Sequence, residues 1–140
     1  MPSERVGMRQ ALISPGGEES VSIMRGNQEV GDILEEYITA GSCVAALGEA
    51  PLVLNQFGLY PGYKITANTT LTPELSTNYT VVPESVVQDR TLITAVGSSV
   101  SFQFAAKLLK YLFSYEQIDE HVATEMGYPL THEDEVDKLQ

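Results

Sequence analysis

The segment that most constrains this chain is Ser42-Cys-Val-Ala-Ala-Leu47, followed at once by Gly48-Glu49-Ala50 and then by Pro51-Leu-Val-Leu-Asn-Gln-Phe57. Five of its first six residues are small or apolar. They run without polar alternation, the pattern of a strand covered on both faces rather than one half-exposed to water. Gly48 supplies a sharp turn. Pro51 suits the first turn of a helix, where its missing N–H would have no partner in any case, and Gly58 closes that helix. A buried strand that passes through a tight turn into a helix needs layers on both sides, so the segment predicts an α/β sheet. The geometry is that of a nucleophile elbow.

The flanking segments agree. Ala11-Leu-Ile-Ser14 is a short apolar run that stops at Pro15-Gly16-Gly17, which predicts a second buried strand and a sharp turn whose backbone amides could face a ligand. From Asn27 onward Val30, Ile33, Leu34, Tyr37 and Ile38 recur at helical spacing, with Glu29, Asp32, Glu35 and Glu36 on the other face. That is an amphipathic helix, ended by Gly41. Residues 63–72 read as a threonine-rich strand and loop, and Tyr79 to Val82 and Val86-Val87 as short β runs. Gln88-Asp89-Arg90 looks like a hairpin turn into a strand from Thr91 to Ala95. Gly97-Ser98-Ser99 makes another strand-to-helix turn, with Ser101 as the expected N-cap. The helix it starts is apolar nearly all round, through Phe102, Phe104, Ala105, Leu108, Leu109, Leu112 and Phe113, and is expected to be deeply packed.

Composition narrows the function classes. At 140 residues, with 43% apolar and 19% charged, the chain has the makings of one globular domain. A formal charge of −11 repels phosphate backbones and anionic lipid, so neither nucleic acid nor a membrane surface is an expected partner. No run approaches the roughly 18 apolar residues of a spanning helix, and the charged start carries no apolar leader, so a cytoplasmic location is expected. The single cysteine, Cys43, permits no internal disulfide and no Cys-based zinc cluster. Residues 116–140 hold eight acids and one base, −7 of the total, which separates a body of residues 1–115 from an acidic tail. Such a tail is either a solvated face or a docking segment for a basic partner. His121 and Glu125 share i, i+4 spacing inside it, but two ligands without a third make no metal centre, and neither metal nor cofactor is expected. Asn68-Thr-Thr70 and Asn78-Tyr-Thr80 match the glycosylation acceptor pattern, read as chance matches because no export signal is visible.

The order of elements and particular residues resemble the ThiJ/PfpI family, that of the parkinsonism-associated deglycase, within the class I glutamine amidotransferase-like superfamily. The carriers are Ala11-Leu-Ile-Ser-Pro-Gly-Gly17, Val44-Ala-Ala-Leu-Gly-Glu-Ala-Pro51 and Val87-Gln-Asp-Arg-Thr-Leu-Ile-Thr-Ala-Val-Gly97 with Ser101-Phe-Gln-Phe-Ala105. The resemblance implies a flavodoxin-like α/β fold, a mostly parallel sheet flanked by helices, without the family's first βα unit. It also implies what is missing. The family's elbow carries a cysteine nucleophile where this chain has Gly48, and its histidine falls at or beside Asn68. A third group, a glutamate, belongs to the first βα unit. Losing nucleophile or base from a coupled pair lowers turnover on the order of a million-fold, so the expectation is a non-catalytic binding or structural component. The alternative is the C-terminal part of a glyoxalase/deglycase-like or amidase-like enzyme, completed by residues or a chain outside this one.

Remaining candidates divide between chemistry and structure. Cys43 lies five residues before Gly48, roughly 16 Å along an extended strand, and reads as a buried core residue rather than a substitute nucleophile. Glu49 is either an acid or base pointing into the former pocket or a carboxylate favoured at a helix start. Gly16 and Gly17 are turn formers or anion-binding amides. Ser98 and Ser99 have no histidine within reach of a triad, since both histidines lie in the tail. A sheet without its first unit would expose a strand edge and an apolar face, so a protein partner or homo-oligomer is expected.

Overall fold

A computed structural model describes residues 10–112. The acidic segment 116–140, with His121 and Glu125, lies outside the described residues, as does Phe113. In chain order the elements are β1 (Ala11–Ser14), α1 (Glu18–Arg25), α2 (Gln28–Thr39), β2 (Cys43–Leu47), α3 (Pro51–Gln56), β3 (Lys64–Ile65), α4 (Thr72–Leu75), β4 (Thr80–Val81), β5 (Val86–Asp89), β6 (Leu92–Ala95) and α5 (Ser101–Leu112). A four-stranded sheet runs β1-β2-β6-β5. β2 is parallel to β1, with Ala11 opposite Cys43, and parallel to β6, with Val44 opposite Leu92. β5 and β6 form an antiparallel hairpin.

The sheet is buried on both faces because side chains alternate along its strands. Val44, Ala46 and Leu92 join the core under the helices Glu18–Arg25, Gln28–Thr39 and Pro51–Gln56, together with Val21, Leu34 and Leu52 to Leu54. Cys43, Ala45, Ile93 and Ala95 form a second core with Phe104 of α5. The uninterrupted apolar run of β2 is therefore two interleaved sets of contacts, one for each layer. Asn27 caps α2, its side chain accepting the Glu29 N–H at 2.9 Å, as a β-region N-cap should.

Four expectations change. α1 was not foreseen, and it buries only Val21 among its eight residues. The strand of the strand-and-loop segment 63–72 is only β3, which pairs in parallel with β4 in a separate two-stranded sheet. The rest of it turns through a 3-10 segment at Thr69–Leu71 into α4. Ser101 does not act as an N-cap acceptor. Its hydroxyl donates to the Ser98 carbonyl at 2.6 Å and closes the 3-10 turn ahead of α5. Nor is α5 deeply packed: Phe104 and Ala106 are buried, but Phe102 is 64% exposed. A helix lying on a sheet can bury only the stripe that faces it, and apolar composition elsewhere on the helix does not create a second surface. At the opposite edge β1 has β2 as its one neighbour among the described residues, and Ile13 is 47% exposed.

Candidate functional site

The turn after β2 has the tight elbow geometry that the sequence calls for. Gly48 sits at φ +59, a left-handed conformation that costs an L-residue about 1–2 kcal/mol and glycine almost nothing. Its N–H donates to the Ala95 carbonyl at 2.9 Å and its carbonyl accepts the Asn68 N–H at 3.0 Å, so the elbow is tied to β6 on one side and to the segment after β3 on the other. A Cβ added at Gly48 would have Gly97 Cα as its nearest neighbour, at 3.9 Å. A side chain would fit there, and the chain simply does not place one.

Asn68 is positioned by two threonines. Thr94 lies fully buried in β6, and its hydroxyl accepts the buried Thr66 N–H at 2.9 Å, which holds the strand-like segment against the sheet where no ladder continues. Thr70 then sets the orientation of the Asn68 amide. Its backbone N–H and its hydroxyl both donate to Asn68 Oδ1, at 3.1 and 2.9 Å. With the oxygen so engaged, the amide nitrogen faces the elbow.

Into that space comes Glu49. The Gly17 N–H donates to Glu49 Oε2 at 3.1 Å, and Asn68 Nδ2 donates to Glu49 Oε1 at 3.3 Å. The carboxylate precedes α3 and is held by two donors outside its own turn. Gly16 is what permits the close approach: a Cβ there would stand 2.8 Å from the Leu47 carbonyl and 3.1 Å from Glu49 Oε2. The whole arrangement borders an open cleft of about 520 Å³ lined by Pro15 to Gly17, Leu47 to Glu49, Asn68 and Val96 to Ser98.

The residues read at the elbow, at the Pro-Gly-Gly turn and at the family's histidine position (Gly16, Gly17, Gly48, Glu49 and Asn68) thus border one cleft. Thr70 and Thr94 were not foreseen; an asparagine followed two residues later by a threonine is the signal for the first, and nothing local signals the second. Ser98 is among the lining residues and Ser99 is not. Cys43 is at the opposite end of β2 with no exposed surface, and burial pushes its thiol up to about 11. Among the described residues no group of three or more His, Cys, Asp or Glu side chains could hold a metal ion. No described helix is long and apolar enough to cross a membrane.

The sequence matches a known family model, that of the DJ-1/PfpI family, over residues 5–111. The chain belongs to the DJ-1/PfpI family. Among curated relatives it is 33% identical over 110 residues to protein dj-1beta of Drosophila melanogaster, an alignment covering 78% of this chain and 59% of that protein. It is 30% identical over 115 residues to protein DJ-1alpha of the same fly, covering 81% of this chain and 53% of the relative. The chain therefore spans between half and two thirds of the length of these DJ-1 proteins. The crystal structure of Drosophila DJ-1beta superposes with a TM-score of 0.81 at 30% identity, covering 86% of this chain and 64% of that one. A Salmonella typhimurium DJ-1 superfamily protein, crystallised as a cysteine-to-alanine mutant, shares the fold with a TM-score of 0.74 at 24% identity, covering 92% of this chain and 70% of that one. The mostly parallel sheet flanked by helices is thus the DJ-1/PfpI fold.

Proposed function

We propose that this DJ-1/PfpI protein is non-catalytic and works as a binding or structural component. The observation that supports this most directly is the Glu49 carboxylate lying across the mouth of a thiol-free elbow, bonded to Gly17 N–H and Asn68 Nδ2. Covalent catalysis needs a nucleophile within hydrogen-bond reach of a base. Here the elbow residue has no side chain, the amide at Asn68 is no base, and the cysteine is sealed at the other end of the strand. The backbone N–H that could polarise a substrate oxygen is engaged by the protein's own carboxylate.

The same reading has the chain assembled with a second copy or another polypeptide. It is supported by the one-sided pairing of β1 and by the half-exposed Ile13 on that edge strand. The acidic segment 116–140 is available in this proposal for a basic partner. The deciding assay is consumption of methylglyoxal by the full chain, with thiol-bearing peptide adducts as a second substrate. The expected rate equals that of buffer. Turnover that survives Cys43→Ala and vanishes with Glu49→Gln would overturn the reading in favour of an enzyme that uses Glu49. For assembly, light scattering at micromolar concentration is expected to give more than the monomer mass, and a stable monomer would sink that part.

A further inference from the structure

We infer that the cleft is a carboxylate-binding site whose donors are occupied by a tethered ligand of its own, the Glu49 side chain, and that its external ligand is a small monocarboxylate. This rests on the non-catalytic reading above and adds the ligand class. The Glu49 carboxylate bridges two donors from distant parts of the chain, one oxygen on Gly17 N–H and the other on Asn68 Nδ2. Neither donor belongs to the turn that carries Glu49. Both have ties independent of it: the Gly17 carbonyl accepts the Val21 N–H at the start of α1, and Asn68 is held by the pair of Thr70 donors on its oxygen and by its N–H to the Gly48 carbonyl. The pair is a preformed two-point cradle for one carboxylate. Gly16 keeps its floor open, since a Cβ there would press on the bound oxygen at 3.1 Å.

Two features make the tethered group a displaceable occupant. Both of its bonds, at 3.1 and 3.3 Å, come from uncharged amide N–H donors, at or just past the long end of the ordinary range of about 2.7–3.2 Å, and neither is a charge pair. The cleft it borders has about 520 Å³, far more than one carboxylate fills. A free carboxylate can meet the same two donors. The tether gives Glu49 its advantage, because a group held a few bonds from its site has a local concentration above the millimolar level that even short flexible linkers reach.

The experiment is an acetate titration of the isotope-labelled full chain, following the Gly17 backbone amide and the Asn68 side-chain amide by NMR. Glu49→Ala is expected to bind acetate at least about tenfold more tightly than the unaltered protein, with shifts at both amides. Glu49→Asp, one methylene too short to bridge both donors, is expected to fall between the two and serves if the alanine variant does not fold. Glu74→Gln, which removes a like charge elsewhere, is expected to bind acetate as the unaltered protein does. Equal affinity of Glu49→Ala and the unaltered protein overturns the inference, as does binding that moves neither amide. Inorganic phosphate binding to Glu49→Ala as tightly as acetate overturns the ligand class. None of these outcomes bears on methylglyoxal consumption, so the non-catalytic reading stands or falls separately.

Discussion

The two ends of β2 are built from the same strand and are opposite in kind. At the Cys43 end the chain has a nucleophilic atom and no access: the thiol is completely buried and burial raises its pKa to about 11. At the Gly48 end it has access and no nucleophile, with an open cleft, a left-handed glycine and polar groups that satisfy one another. The difference teaches where the limits on chemistry lie in this fold. A parallel sheet seals the beginnings of its strands under connecting segments and opens at their carboxyl ends, so position along the strand decides whether a side chain can react. Residue type alone does not.

The most demanding way to break this contrast is to move the thiol. Gly48→Cys is expected to fold, because its Cβ meets nothing closer than 3.9 Å, and to react with a disulfide reagent at pH 8 on the order of a hundredfold faster than Cys43, the ratio of thiolate fractions for a thiol raised from 9.0 to about 11 against an ordinary one. Equal labelling rates would show that the two ends do not differ in access. A smaller effect tests how the open end is attached to the sheet. Thr94→Val removes the acceptor of the buried Thr66 N–H and is expected to lower unfolding stability by about 1–3 kcal/mol, read by denaturant titration, with a shift of the Asn68 amide resonance. Stability unchanged in Thr94→Val would mean that the Asn68 segment is held by other contacts.

The smallest expected effect concerns the surface of the closed end. There the Asp89 carboxylate accepts from Arg90 Nε at 3.0 Å and from the Lys64 N–H at 2.8 Å, while the Arg90 guanidinium stacks 3.6 Å from the Tyr63 ring centroid. The Arg90 bond, helped by the Lys64 N–H, holds the Asp89 carboxyl below its ordinary 3.8. A carboxylate with a lowered folded pKa stabilises the fold above its ordinary value and loses that contribution as pH falls through the folded one. Asp89→Asn is therefore expected to lose under about 1 kcal/mol at neutral pH, a gap that narrows once the pH drops below 3.8. A deficit that persists in acid would assign the loss to packing rather than charge.

Much of this architecture is written in local pattern. Cys43 to Leu47 declares a strand buried on both faces, Gly48 and Pro51 declare the elbow, and Ala11-Leu-Ile-Ser before Pro15-Gly16-Gly17 declares the neighbouring strand and its turn. The cleft itself was legible because its parts sit at strand ends, where a parallel sheet gathers them. What was not legible depends on distance. α1 hides behind the glycines that precede it and shows only Val21 and Met24 as a sparse apolar stripe, with Ile23 69% exposed. β3 and β4 were read as β runs, but nothing local says that they pair with one another in a sheet of their own. Thr94 gives no sign in sequence that its hydroxyl serves a backbone amide 28 positions earlier. α5 misled in the other direction, since its apolar residues encircle the helix while the sheet offers one side.

Gly48 carries one more consequence. A reactive side chain at such an elbow would require the backbone to hold an unfavourable angle in every folded molecule, an energetic burden of about 1–2 kcal/mol accepted for the sake of activity. This chain keeps the bend at φ +59 with a residue that finds it comfortable. If, as proposed, the elbow does no covalent chemistry, the fold is released from the usual opposition between durability and reactivity, and substitutions that stiffen the strand ends can accumulate here.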